Sequence, residues 1–187
     1  FISTAYVGKN GYMNWEQIKE IEKSGLGIIG NHSHTHKYLV DETNNQIVND
    51  LNQAIALFEK ELGHSPSYFS YPFGEYSNDF KKILIDLNFN VAFGQHSGVI
   101  DGTKNYLELP RFPINEKYGN LDRFKFIIDL LPFPYKEIYP ENRYLQKSEN
   151  PPKLRVVFFE NQKNLKNINC FSNEGNRWRD SKIILGE

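Results

Sequence analysis

Three of the five histidines in this 187-residue chain stand in one run, His32-Ser33-His34-Thr35-His36. Neutral imidazole is a good zinc ligand, so a cluster of this density is a candidate metal site. Two histidines four apart share a face if the segment turns helically, whereas an extended segment would align His32, His34 and His36. Spacing alone leaves the ligand pair open, and a solvated polar loop without metal is the plain alternative. A second signal is Tyr68-Phe69-Ser70-Tyr71-Pro72-Phe73-Gly74. Here Pro72 fixes the approach of the chain, and a tight turn at Gly74 can expose the Phe73 N–H to a developing oxyanion. Turns of this composition are more often structural. His96, in Gly94-Gln95-His96-Ser97-Gly98, is a candidate general acid by position alone, and His64 beside Gly63 reads as a surface residue.

The elements that must hold these residues alternate. Phe1 to Val7 reads as a strand already in progress, Asn14 as the N-cap of a helix carrying Trp15, Ile18 and Ile21 on one stripe, and Gly25 as its stop. Leu26 to Gly30 reads as a short strand feeding directly into the histidine run. A longer helix follows from about Thr43 to Leu62, with Ile47, Leu51, Ile55, Phe58 and Leu62 on one face, Asp41 as its N-cap and Gly63 as its stop. Ser67 to Tyr71 is the next strand, Ser77 or Asn78 starts another helix, and Val91 to Phe93 is a strand again. Leu107 to Ile114 carries prolines that suit a strand end, and Leu121 to Leu131 reads as a last helix. Strands alternating with amphipathic helices predict parallel strands with helices outside, in a doubly wound sheet or a barrel. The proline-rich segment 132–153 reads as a connector. Beyond it, Leu154 to Phe159, Leu165 to Phe171 and Lys182 to Leu185 read as strands separated by Asn/Gly turns, the start of a small β module at 154–187.

Composition narrows the partners. Twenty-two basic and 23 acidic residues leave a formal charge of −1, which gives no electrostatic footprint for nucleic acid or an anionic membrane. Cys170 is the sole cysteine, so the chain can build neither a disulfide nor a cysteine-based zinc site. No apolar run approaches the roughly 20 residues of a membrane span. Aromatic residues make up 14% of the chain, a surplus that can serve either core packing, the safer reading, or flat sugar faces. Both ends, the first in mid-strand and the last just after an apolar run, read as cut.

Together the two motifs resemble the NodB-homology polysaccharide deacetylases, carbohydrate esterase family four, over about residues 1–131. His32-Ser33-His34-Thr35-His36 is similar to the family's H-[ST]-x-x-H metal motif, which implies His32 and His36 as ligands and leaves His34 on a variable position. Phe69-Ser70-Tyr71-Pro72-Phe73-Gly74 is similar to the family's third motif, R-x-P-[YF]-G or F-A-Y-P-[YF]-G, with Ser70 where the common form has an arginine that orients the catalytic aspartate. Val91-Ala92-Phe93-Gly94 and Leu109-Pro110-Arg111-Phe112-Pro113 resemble later strands of the same branch. The first motif, T-F-D-D-G, whose aspartates supply the base and a third metal ligand, has no counterpart here, since the chain contains no Asp-Asp pair. The expectation is that the chain begins after it. Asp41 is a conceivable substitute but reads better as a cap.

The resemblance implies a distorted, incomplete (β/α) barrel followed by a small β module. It also implies a metal-dependent hydrolase removing N-acetyl groups, with O-acetyl groups a second option, from a polysaccharide or oligosaccharide. The cofactor would be a divalent metal, Zn2+ first, on His32 and His36. The Phe73 N–H would serve the oxyanion, and Tyr71, Pro72, Phe93 and Arg111 the sugar groove. Export to the periplasm, cell envelope or medium follows from such substrates. The chain by itself is expected to be inactive for want of the aspartates. The rivals are a non-catalytic glycan-binding or structural relative that has lost the aspartate motif, and a different metal hydrolase on a similar barrel.

Overall fold

Capping side chains set the helices. Asn14 accepts from the Gln17 N–H while Gln17 reaches back to the Asn14 N–H, a capping box that starts α1 (Trp15–Ser24), and Gly25 ends it in a left-handed conformation. Thr43 and Gln46 form the same box at the start of α2 (Asn44–Leu62), which Gly63 ends. The cap of α2 is therefore Thr43 and not Asp41, which lies in a preceding 3₁₀ turn and accepts a hydrogen bond from the Tyr144 hydroxyl. Ser77 caps α3 (Asn78–Asp86) and Asn120 caps α4 (Leu121–Ile128).

The computed structural model describes residues 1–162 and 165–186. Between the helices runs a parallel ladder of very short pairings. Ile2 bridges Asn31, and Asn31 bridges Phe69. Then β1 (Tyr68–Ser70) pairs with β2 (Val91–Phe93), and Phe93 bridges Leu109. Phe1 and Phe93 flank segments three strand spacings apart, about 14 Å in a flat sheet. Their rings nevertheless meet edge to face at 5.6 Å, so the ladder curls like the wall of a barrel. Gly30 permits this inner contact, because a Cβ there would lie 2.5 Å from the Phe1 ring.

Several expected strands are shorter than their sequence suggests. Thr4–Tyr6 turns into a 3₁₀ segment, and of the Leu26–Gly30 run only the adjoining Asn31 is bridged, with Leu26 95% and Ile28 77% exposed. An apolar run becomes a buried strand only where neighbours accept its backbone and cover its faces, and nothing among the described residues does so for Leu26 and Ile28. The Leu107–Ile114 run is likewise reduced to a bridge at Leu109.

Two buried clusters flank α2. One packs Ile47 and Leu51 of α2 against Phe80 and Leu84 of α3 and against Phe69, Tyr71 and Ala92 of the ladder. The other joins Ala54 and Phe58 of α2 to Ile18 of α1 and to Ile29. The clusters fix the ladder, and with it the loops at its ends.

The region past residue 131 has antiparallel hairpins and no helix other than 3₁₀ turns among the described residues. The segment read as a connector carries β3 (Tyr135–Tyr139), which pairs with β4 (Arg155–Phe158). A second hairpin joins β5 (Phe171–Glu174) to β6 (Arg177–Asp180). The expected strand at Leu165–Phe171 is a 3₁₀ turn leading into β5, and Lys182–Leu185 forms no strand among the described residues. Residues 163, 164 and 187 of the expected β module lie outside the described residues.

Candidate active site

The histidine loop leaves the ladder at Asn31 and is clamped from three sides. The Ile2 carbonyl accepts from the His32 N–H at 2.9 Å, and the Ser33 and His34 carbonyls accept from the Thr4 and Ala5 N–H groups at 3.2 and 3.0 Å. Ser3 Oγ donates to the His32 carbonyl at 2.8 Å. From below, the Asp50 carboxylate on α2, 6% exposed, accepts from the His34 N–H at 2.7 Å, the Thr35 N–H at 3.1 Å and the Thr35 hydroxyl at 2.5 Å. Within the loop, Asn31 Oδ1 accepts from the Ser33 N–H and Ser33 Oγ from the His36 N–H. This web holds Ser33 and His36 at positive φ, 67° and 54°, a conformation that costs free energy and persists only where the surroundings impose it.

The loop is therefore neither helical nor extended, and it sorts the three histidines. His32 and His36 come together, their rings edge to face with centroids 4.8 Å apart. His34 turns away, its Nδ1 at 2.8 Å from Thr4 Oγ1. His32 Nδ1 lies 2.6 Å from the Ser70 carbonyl oxygen. Such a contact makes Nδ1 the donor and leaves Nε2 as the free lone pair, the arrangement usual for metal-bound imidazole. Burial holds the His32 pKa down at about 4, against the opposing pull of the Ser70 carbonyl, so the ring is neutral at physiological pH.

Phe73 packs on the His36 side of the pair. It sits at φ 57° inside a 3₁₀ turn at Pro72–Gly74, stacks edge to face on His36 at 4.9 Å and meets Tyr38 at 5.6 Å. A bulky residue in the left-handed region is a strained one. Gly74, at φ 80°, lets the turn close against Gln95, which a Cβ would meet at 2.5 Å.

Other expected site residues fall elsewhere. Tyr71 is fully buried, donates its hydroxyl to the Leu107 carbonyl at 2.8 Å and packs on Phe69, Tyr76 and Phe80. It is a core residue and not part of a sugar groove, and burial raises its pKa. Pro72 is also buried, as the first residue of the turn. Phe93 is half-buried against Phe1. Arg111 remains near the pair, where its charge further lowers the His32 pKa. His96 lines a neighbouring cavity with Tyr76, whereas His32 and His36 line another of about 390 Å³ with Phe1, Tyr6 and Met13.

Asp50 and Thr4 were invisible as site-builders in the sequence. Asp50 stood on the α2 face otherwise read for Ile47 and Leu51, and a carboxylate one position before a buried leucine is the sole signal that could have marked it.

The residues fit a divalent metal in part. Two adjacent imidazoles, one locked by a backbone carbonyl, suit two of the three protein positions of a catalytic zinc site. Among the described residues no group of three His, Cys, Asp or Glu side chains comes together. Beside His32, the buried Asn31 Nδ2 and Ser70 Oγ find no hydrogen-bond partner. Buried polar atoms left so call for an acceptor that the described residues do not supply.

Residues 1–92 match the family model described as polysaccharide deacetylase. No curated protein matches the chain. Solved structures that resemble it include a deacetylase of Streptococcus pyogenes, PplD, in complex with acetate, at 20% identity over 58% of this chain and 49% of that one, TM-score 0.54. IcaB from Ammonifex degensii aligns at 25% identity over 63% of this chain and 56% of that one, TM-score 0.56. A polysaccharide deacetylase from Bacillus cereus aligns at 21% identity over 68% and 40%, TM-score 0.61. The chain spans 40% to 56% of the length of these proteins.

Proposed function

Residues 1–92 belong to the polysaccharide deacetylase family, and from that premise we propose that the chain serves a metal-dependent hydrolase that removes acetyl groups from an N-acetylated polysaccharide or oligosaccharide. The observation that carries the reading is the His32–His36 pair with the His32 ring anchored on the Ser70 carbonyl. His32 and His36 would hold the ion, with Zn2+ the first choice for an imidazole pair. When bound, a divalent ion supplies Lewis acidity to the acetyl carbonyl and to a water.

The chain's own residues do the rest. The Ser70 carbonyl fixes the His32 tautomer and direction. Asp50 holds the His34–Thr35 backbone so that His32 and His36, rather than His34, face each other. Phe73 backs the His36 ring, and its backbone N–H at the strained turn is the group we assign to the oxyanion of the tetrahedral intermediate. Arg111 keeps the surroundings positive, favouring the developing negative charge. The orphaned Asn31 Nδ2 and Ser70 Oγ would orient the carboxylate base, a group not found next to the pair among the described residues. Substrates of this kind lie outside the cell membrane, which places the protein in the periplasm, the cell envelope or the medium.

A substrate panel, assayed with the protein in its full encoded length, tests the reading against its rivals. Acetate should be released from N-acetylated glucosamine oligomers and not phosphate from phosphate esters. Tight glycan binding with no acetate release from any amide or ester would favour a non-catalytic glycan-binding protein instead.

A further inference from the structure

Beside the histidine pair lies a second cavity, of about 800 Å³, within the range of roughly 300–1,000 Å³ usual for ligand sites. Phe73 is common ground: its ring stacks on His36 and, 49% exposed, also lines this cavity. The near wall continues through Gly74, Glu75 and Tyr76, and the far wall is Phe133, Tyr135, Arg143 and Leu154. That far wall comes from beyond residues 1–92, the part matched by the family.

The far wall is held in place by specific contacts. Asn142 Oδ1 accepts from the Asn78 N–H at the start of α3, at 3.2 Å. Tyr144 packs on the larger core cluster and donates to Asp41. The Lys104 ammonium donates to the Phe133 carbonyl at 3.2 Å and lies 3.7 Å from the Tyr135 ring centroid.

The lining selects an uncharged ligand. Its basic side chains, Lys104 and Arg143, match its acidic ones, Glu75 and Glu108. Lys104 is engaged by Asp101, and Glu108 by Lys81 at 3.0 Å, so these charges are already paired. What stays open is aromatic area on Phe73 and on Phe133, 46% exposed, with the Arg143 guanidinium and the His96 ring at the margin. Apolar ring faces with a few polar groups around them fit the C–H faces and hydroxyls of a sugar.

We propose that this cavity is a saccharide-binding site for the sugar units flanking the one that is deacetylated, with specificity for chain length supplied by residues 133–154. The direction of the glycan rests on the deacetylase reading, whereas the binding itself does not. The test is calorimetric titration of chelator-treated protein with chitin-type and poly-N-acetylglucosamine-type oligomers of two and five units. With at least one linkage the pentamer should bind about tenfold more tightly than the dimer, a difference of about 1.4 kcal/mol. Phe133→Ala should abolish that gain, bringing the pentamer down to the affinity of the dimer. Because Phe133 also packs on Phe158, Val99→Trp, which fills the cavity from the other side, provides the second variant, with folding checked by thermal melting. Pentamer affinity unchanged in both folded variants, an equal loss for both lengths, or no gain with length for either linkage would overturn the proposal. Acetate release measured on the same oligomers with the protein in its full encoded length separates the two readings: length-dependent binding without release would leave the site standing and refute the deacetylase.

Discussion

His32 carries the most information at the scale of single residues. Its ring is buried against a carbonyl, and its pKa is held at about 4 instead of the ordinary 6.5. Between those values the unfolded chain binds a proton that the folded chain refuses, so this group's contribution to stability is full above pH 6.5 and drains away as pH falls to about 4. An NMR titration of the metal-free protein should place the His32 ring near pH 4, and a midpoint at 6.5 would contradict its buried, carbonyl-anchored state. Asp50 is the complementary case. Asp50→Ala would orphan two backbone N–H groups and a hydroxyl, at about 1–3 kcal/mol for each one left without a partner. The variant should unfold several degrees lower in a thermal scan and should bind Zn2+ more weakly in the same protein, since the loop would lose its floor.

Element boundaries follow local chemistry wherever that chemistry is self-contained. The capping boxes at Asn14 and Thr43 and the glycines at 25 and 63 were legible in the sequence because each acts within one turn of chain, although Asp41 competed with Thr43 for the second cap. Thr43→Ala should lower stability by about 1 kcal/mol in chemical denaturation, with little effect on the site. Strands were less legible. Leu26 to Gly30 has the composition of a strand, but a parallel strand exists only through neighbours distant in sequence, and local composition does not encode them. Tyr71 was misplaced for a related reason. The Tyr-Pro-Phe-Gly turn drew it toward the site, whereas its two-residue spacing from Phe69 puts both rings in the core. The pairing of His32 with His36 was legible only through the family resemblance, because spacing alone admitted His34, and the decisive Asp50, Thr4 and Ser70 contacts lie 15 to 38 residues away in sequence.

At the scale of the whole molecule, the curled ladder brings the histidine loop at the end of Asn31 beside the Phe73 turn at the end of β1, and the 133–158 segment closes over the flank of that turn. Chemistry and chain recognition would thus come from different stretches of sequence that share Phe73. The central claim is that His32 and His36, and not His34, hold the metal on which acetate release depends. The direct measurement is acetate release by the protein in its full encoded length, on N-acetylglucosamine oligomers, before and after chelation and zinc readdition, for wild type, His32→Ala, His36→Ala and His34→Ala. Chelation should abolish release and zinc restore it. Replacing His32 or His36 should cost more than about 10²-fold, beyond the 10–100-fold typical of losing a supporting residue, while His34→Ala should keep most of the activity. Release that resists the chelator, or a loss in His34→Ala as deep as in His36→Ala, would contradict the account.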